Sequence, residues 1–234
     1  MKRIHNFEEF ELVLEGFNYD PILTRYGISN EQWDAMRVNP EVTTSYEKYK
    51  KYYSTEEAKN LVNKALSLVC THTFGDPAST KEFMERLSKV ESCYGTNPST
   101  YSRPSQTKGL FQLDKATALK TIGYKNVQPT GNSAILERLK KAKEKIKTKL
   151  GIDWSMVPYE SLSKPLYSAL ACRLYIEVKM ESYQYNRSTG KLTSKQHPIP
   201  STLDEQAKWW KDRYNTSSGS GTESKFKNPP GCSI

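Results

Sequence analysis

Residues 79–98, STKEFMERLSKVESCYGTNP, contain the pattern from which the fold and the candidate chemistry are both inferred. The motif Ser79-Thr80-Lys81-Glu82 is a capping box that predicts the start of a helix. Phe83, Leu87 and Val90 follow at the i, i+4, i+7 spacing of an apolar helix face. The pattern ends at Glu91, before a polar loop with glycine and proline. A carboxyl group there is a candidate general acid, although an ordinary exposed glutamate explains the position better when the position is considered alone.

Helical patterns recur along the rest of the chain, and no extended sheet is indicated. Helices are predicted over about residues 7–17, 29–38, 46–53, 54–69, 79–91, 116–119, 133–150, 162–180 and 202–214. The segment around 187–190 fits a weak hairpin turn. The sequence therefore predicts a mainly α-helical fold with at most a minor β-hairpin.

The composition indicates a basic protein with a very polar surface. The 234 residues suit one domain, or one domain with a small appendage, and carry a formal charge of +9. Seven basic residues and one acidic residue lie between Arg138 and Lys149, a net charge of +6. This favours an anionic partner, but a solvated helix face explains it as well. Nucleic acid is not expected as the partner, because the chain has no recognition motif and the basic helix has few aromatic residues.

The cysteines and the N-terminus give indications of the cellular compartment in which the protein is made. Cys70, Cys93, Cys172 and Cys232 include no C-x-x-C pair, so no metal site or other cofactor is expected. The cysteines are expected to be mostly reduced, and a pairing of Cys93 with Cys70 or Cys172 stays open. The N-terminus has no apolar signal region, and no apolar run approaches 18 residues, so no membrane-spanning segment is expected.

A family resemblance rests on two ordered motifs and a tail. Glu91-Ser92 is followed by Gly95, Asn97-Pro98 and Ser102, and then by Gly109-Leu110-Phe111-Gln112-Leu113 and Ala116-Thr117-Ala118. This combination resembles the lytic transglycosylases of the lysozyme-like superfamily. The tail around 209–226, including Trp209-Trp210 and Tyr214-Asn215, is similar to virion-associated transglycosylases of tailed phages. The resemblance covers roughly residues 79–228 and implies a lysozyme-like helical domain.

The chain departs from the family pattern at two places. Cys93-Tyr94 lengthens the link that precedes Gly95. In the third motif, Arg213 replaces the usual alanine, and extra residues precede Gly219. These departures leave the roles of Tyr214 and Asn215 open.

The resemblance implies a role for each site residue. Glu91 would be the catalytic acid and then the base, and Gln112 would hydrogen-bond the sugar or orient Glu91. The other residues that it implies at the substrate are Ser92, Ser102, Gly109, Phe111, Tyr175, Tyr214 and Asn215. Simpler explanations remain for several of them: Phe111 fits a core position, Ser92 a helix end, and Ser102 a soluble loop.

A second carboxylate is the feature that separates two possible reactions. No second acid lies in a matching motif, and Asp114 is explained as a helix N-cap. With one carboxyl group, the resemblance implies cleavage of the MurNAc–GlcNAc β-1,4 bond with formation of a 1,6-anhydro sugar. A muramidase that adds water, using Asp114 or another acid, is one alternative. A non-catalytic wall-binding or structural protein of a phage particle is another.

Residues 1–53 lie outside the resemblance. They are predicted to form a small N-terminal helical subdomain before a lysozyme-like domain over 54–234, and to be available for docking on other virion proteins. The expected substrate is the glycan strand of peptidoglycan. The expected location is a phage virion acting on the bacterial cell wall, since a particle would deliver a protein that lacks a signal peptide.

Overall fold

The computed structural model describes most of the chain and is mainly helical with small antiparallel hairpins. The described residues are 17–37, 55–96, 107–123, 128–186, 188, 191–215, 221–229 and 231–232. This confirms the predicted mainly α class with a minor hairpin. Among the helices of these residues, none combines the length and the apolar character needed to cross a membrane.

The α-helices range from 3 to 18 residues, and the strands have two or six residues. The α-helices are α1 Asp20–Arg25, α2 Asn30–Arg37, α3 Thr55–Leu66, α4 Ala78–Ser92, α5 Lys115–Thr117, α6 Ser133–Leu150, α7 Pro165–Lys179, α8 Leu203–Trp209 and α9 Glu223–Lys227. Three π-helical segments continue α3, α5 and α8, over Ser67–Phe74, Ala118–Ile122 and Trp210–Tyr214. Single 3-10 turns cover Trp154–Met156 and Tyr159–Ser163. The strands are β1 Thr107–Lys108, β2 Leu113–Asp114, β3 Glu181–Asn186 and β4 Lys191–Gln196.

The strands form two separate antiparallel pairs. β1 pairs with β2, so the turn between them contains Gly109-Leu110-Phe111-Gln112. β3 pairs with β4 around the predicted turn at 187–190. The hairpin between β3 and β4 was therefore predicted correctly from its turn signal.

Helix starts follow local hydrogen bonding where a capping box is complete. At Ser29, Oγ accepts from the Gln32 N–H at 3.2 Å, and Gln32 Oε1 accepts from the Ser29 N–H at 3.1 Å. The capping box predicted at Ser79 is wrong, because α4 begins one residue earlier, after Pro77. The carbonyl of Pro77 accepts the Thr80 N–H at 3.0 Å, and proline already has a backbone suited to this position.

Helix α7 is the centre of the core. Every residue from Pro165 to Ile176 is buried, as expected for a helix that is covered on all sides. It packs against α2, α3 with its π-helical continuation, α6 and the segment Ala118–Ile122. The start predicted at Leu162 is wrong: residues 159–163 form a 3-10 turn, and Pro165 opens the α-helix because its missing N–H is not needed in the first turn.

Residues 17–37 belong to the same hydrophobic core. Ile22, Leu23, Trp33 and Met36 are part of one buried cluster with α7. The Tyr19 hydroxyl donates to the Leu150 carbonyl at the end of α6, at 2.9 Å. The boundary proposed between residues 53 and 54 and the helices predicted over 7–17 and 46–53 lie outside the described residues, so the two-domain division stays a prediction.

The expectation of mostly reduced cysteines is wrong for one pair. Cys93 and Cys232 form a disulfide, with their Cα atoms 5.5 Å apart, while Cys70 and Cys172 are free and buried. The pairing depends on the return of the C-terminal segment: the Phe226 ring packs 5.3 Å from Phe83 on α4. Sequence spacing does not reveal a contact between residues that are 139 positions apart.

The disulfide should contribute strongly to stability, because it closes a very long loop of the unfolded chain. We expect the double substitution Cys93→Ser, Cys232→Ser to lower the free energy of unfolding by about 2–5 kcal/mol, measured by urea denaturation. Reductant should bring the parent to the midpoint of the double variant and should not change the variant itself. Equal midpoints without reductant would show that the bond contributes nothing.

Candidate active site

A polar cavity of about 150 Å³ lies at the carboxyl end of α4. It is lined by Glu91, Phe111, Gln112, Leu113, Asp114, Tyr175, Tyr214 and Asn215. These residues come from the end of α4, the β1–β2 turn, α7 and the end of the π-helical segment after α8. The fold thus brings together six of the predicted site residues from four distant parts of the chain.

Glu91 is the group in this cavity with acid–base potential near neutral pH. Its side chain is partly exposed at the cavity but otherwise surrounded by protein, and burial raises its pKa from 4.5 to about 7. The positive charge of Lys225 and the indole N–H of Trp210 oppose this shift without cancelling it. The Trp210 N–H is buried and close enough to affect the carboxyl, but the geometry is not that of a full hydrogen bond. A carboxyl group with such a pKa can both donate and accept a proton at neutral pH.

The turn between β1 and β2 has a shape that only glycine permits at its first position. Gly109 has a φ of +74°, and a Cβ there would overlap the carbonyl oxygen of Leu162 and Oγ of Ser168. The Gln112 backbone N–H and its side-chain Nε2 both donate to the Gly109 carbonyl, at 3.2 and 2.8 Å. The turn therefore fixes the Gln112 side chain at the cavity wall.

Ser92 links this turn to α4. It is buried, and its Oγ lies 2.8 Å from the Leu110 carbonyl and 3.1 Å from the Ser88 carbonyl. The same oxygen accepts the Gly95 N–H at 3.0 Å. Because backbone groups occupy the hydroxyl and Ser92 is not among the cavity-lining residues, the structure favours a positioning role over the predicted contact with substrate.

The structure describes Phe111 but not Ser102, another predicted substrate contact. Phe111 lines the cavity but is 1% exposed, so most of its ring belongs to the core rather than to a sugar platform. Its carbonyl accepts the Tyr214 hydroxyl at 3.2 Å. Ser102 lies outside the described residues, and its contact with substrate stays a prediction.

Two tyrosines and an asparagine form the opposite wall. The rings of Tyr175 and Tyr214 meet edge to face, with centroids 5.2 Å apart. Burial raises the pKa of both hydroxyls, and the charge of Asp114 near Tyr175 and the charge of Glu91 near Tyr214 add to it, so both stay protonated at neutral pH. Nδ2 of Asn215 is buried and has no hydrogen-bond partner among the described residues. The wall therefore offers an amide donor that a substrate oxygen would satisfy.

Asp114 was explained mainly as a helix N-cap and kept as a second acid only in the muramidase alternative. It ends β2 and directly precedes α5, which is the position of an N-cap, and it also lines the same cavity as Glu91 and acts electrostatically on Tyr175. Its place two residues after Gln112 was a signal that it shares the turn's wall. Lys225 and Trp210 were missed as neighbours of Glu91, because tertiary packing alone brings α8 and α9 to α4.

Comparisons of the chain with protein-family models, with curated proteins and with solved structures found no match. The resemblance to lytic transglycosylases therefore rests on the motifs of this chain, and the lysozyme-like character of its fold stays a prediction.

Proposed function

We propose that this protein is a lytic transglycosylase that cleaves the MurNAc–GlcNAc β-1,4 bond of peptidoglycan. The observation that carries the proposal is the position of Glu91, whose pKa is raised by burial to about 7, in a cavity lined by hydrogen-bonding side chains. An acid that must first give and then take back one proton works best with a pKa close to the working pH. The ordered Glu-Ser and Gly-Leu-Phe-Gln motifs support the choice of a glycan as substrate.

The proposed reaction uses Glu91 twice. The protonated carboxyl gives its proton to the glycosidic oxygen as the bond from that oxygen to MurNAc C1 breaks. The N-acetyl oxygen of the substrate stabilises the positive charge that develops at C1. The Glu91 carboxylate then accepts the proton of the C6 hydroxyl as its oxygen bonds to C1. The product is a 1,6-anhydro sugar, and Glu91 returns to its protonated state.

The other cavity residues serve binding and positioning in this proposal. The unpaired Nδ2 of Asn215 and the amide of Gln112 hydrogen-bond sugar or acetyl oxygens. Tyr175 and Tyr214 hold neutral hydroxyls beside the acid and limit its contact with water. Ser92 keeps the end of α4 against the Gly109–Gln112 turn.

The proposal includes a site of action. The similarity of the tail around 209–226 to virion-associated enzymes supports a phage particle as the carrier, with local penetration of the wall as the task. Residues 1–53 would then be the part that contacts other virion proteins.

Hydrolysis by a muramidase is a second candidate, because Asp114 lines the same cavity as Glu91. Two carboxylates at one site are what a hydrolase requires, with the second activating water or acting as nucleophile. The structure thus reopens an alternative that the N-cap explanation of Asp114 had weakened.

Asp114→Asn separates the two reactions. For a transglycosylase, we expect the rate of peptidoglycan cleavage to stay within a few fold of the parent, because Asp114 takes no proton in that mechanism. For a muramidase, the rate should fall by about two to four orders of magnitude. Cleavage is measured by release of soluble glycan, and Asp153→Asn, remote from this cavity, controls for the change of charge.

A further inference from the structure

A second, larger cavity lies along α6, away from the candidate active site. Its volume is about 640 Å³, and we call it the lysine cavity. Lys140, Lys143 and Lys147 contribute to one wall, and the partly exposed Leu136 and Pro129 supply apolar surface. The cavity therefore combines positive charge with apolar surface. From the sequence alone, only the basic helix was apparent.

Lys143 is the unusual member of this group. It is partly buried, and it has no hydrogen-bond or ion-pair partner among the described residues. Burial lowers its pKa to about 8, with no counter-charge that opposes the shift. A partly desolvated ammonium without a partner is unfavourable for the fold, and a bound anion would remove that penalty.

The acidic groups of the cavity do not serve as this partner. Asp153 accepts from the Ser155 N–H at 3.1 Å and from its Oγ at 2.6 Å, and it pairs with Lys147 at 3.2 Å. Glu144 is exposed at the rim. Asp153 therefore bonds to Ser155 and Lys147, and the ammonium group of Lys143 lies at the cavity without a carboxylate partner in the part of the chain that the structure describes.

We propose that the lysine cavity binds the oxyanion of a ligand, a carboxylate or a phosphate, through Lys143 with help from Lys140. The apolar part of the ligand would lie against Leu136 and Pro129. The exposed Lys141 is outside the cavity and pairs with Glu137 at 3.7 Å, so it takes no part.

The lysine cavity and the active-site cavity are linked through one segment of chain. Asp114, at one end of this segment, lines the active-site cavity. Gly123, at the other end, lines the lysine cavity. At the rise of a helix, the nine steps from Asp114 to Gly123 span on the order of 13 Å. The anion site goes beyond the proposed catalytic function and does not depend on it.

The test uses the full chain and follows the indole N–H of Trp154 by ¹H–¹⁵N NMR. This N–H donates to the Gly123 carbonyl at 2.6 Å, and both residues line the lysine cavity. The probes are inorganic phosphate, N-acetyl-alanyl-alanine, and the C-terminal amide of that dipeptide as the matched neutral compound. We expect saturable shifts of the Trp154 signal with phosphate, with the acid dipeptide, or with both, and none with the amide. Which of the two anions binds identifies the source of the oxyanion.

Two matched variants place the anion at Lys143. Lys143→Met should weaken the binding of the active probe by roughly tenfold or more, as the loss of a charge-assisted hydrogen bond predicts. Lys141→Met, on the same helix, should leave it unchanged within about twofold, as expected for an exposed charge. Lys143→Gln repeats the test if the methionine variant does not fold. The proposal is overturned if neither anion shifts the signal, if the amide binds as well as the acid, or if loss of Lys143 leaves binding unchanged.

Discussion

We expect Glu91→Gln to lower the rate of the proposed peptidoglycan cleavage by about two to four orders of magnitude and to leave binding to the wall intact. Glutamine has the same shape and can still hydrogen-bond to the sugar, but it has no proton to give to the leaving oxygen. The loss therefore appears in the chemical step, as a fall in kcat with little change in KM. The measurement is the initial rate of turbidity loss of purified walls, with co-sedimentation as the test of binding.

Glu82→Gln is the matched control, since Glu82 lies on the same helix but is exposed and outside the active-site cavity. It carries the same change of charge and should keep the parent rate within about twofold. A Glu91→Gln protein that clears walls as fast as the parent contradicts the proposed role. A parent that binds walls without clearing them supports the non-catalytic alternative.

The raised pKa of Glu91 gives this prediction a pH dependence. In the proposed mechanism the acid form of Glu91 starts the reaction, so kcat/KM of the parent should fall as the pH rises through about 7. The folded-state pKa lies above the ordinary value of 4.5, so ionisation of Glu91 destabilises the fold progressively between about pH 4.5 and 7. Glu91→Gln lacks this penalty, and its Tm relative to the parent should be higher at pH 8 than at pH 4.

We expect Arg173→Ala to lower the free energy of unfolding by about 3–5 kcal/mol. Arg173 lies inside the core helix α7, where its Nε and Nη2 donate to Asp76 at 2.7 and 2.8 Å and its Nη1 donates to Glu177 at 2.6 Å. The guanidinium also covers the Phe74 ring, 4.7 Å from its centroid. Side chains of Arg173 and Asp76 are both only 8% exposed, so the substitution leaves a buried carboxylate without its counter-charge.

The loss of unfolding free energy in Arg173→Ala should be larger than the loss on breaking a surface ion pair. Urea denaturation measures both losses. Lys141→Ala breaks the Glu137–Lys141 pair, whose side chains are 55% and 73% exposed, and should change stability by less than about 1 kcal/mol. Similar losses for the two variants would show that burial does not set the strength of the Arg173 pair.

Elements with complete local signals could be predicted from the sequence. Helix α6 was predicted over 133–150 and has these bounds, because Asn132 caps its start and Gly151 takes a left-handed conformation at its end. The start of α7 was misplaced because Leu162 fits the apolar spacing of the helix, although it lies buried in the preceding 3-10 turn and not in the helix itself.

In the candidate site too, residues in local motifs were predicted, whereas residues brought together by tertiary packing were not. Glu91 and Gln112 were predicted from motifs that are local in sequence, and both line the cavity. Asp114 was kept only as an alternative second acid, because a local explanation, the helix N-cap, was sufficient for it. The disulfide of Cys93 with Cys232 was missed because only the packing of α9 against α4 brings these residues together.

The mass of the products released from purified peptidoglycan is the most direct measurement of the proposed function. We expect the parent to release muropeptides that end in 1,6-anhydroMurNAc, each lighter by one water molecule than the reducing-end product, and Glu91→Gln to release none. Muropeptides of the full hydrated mass would contradict the transglycosylase reaction, and equal release by parent and variant would contradict the role of Glu91.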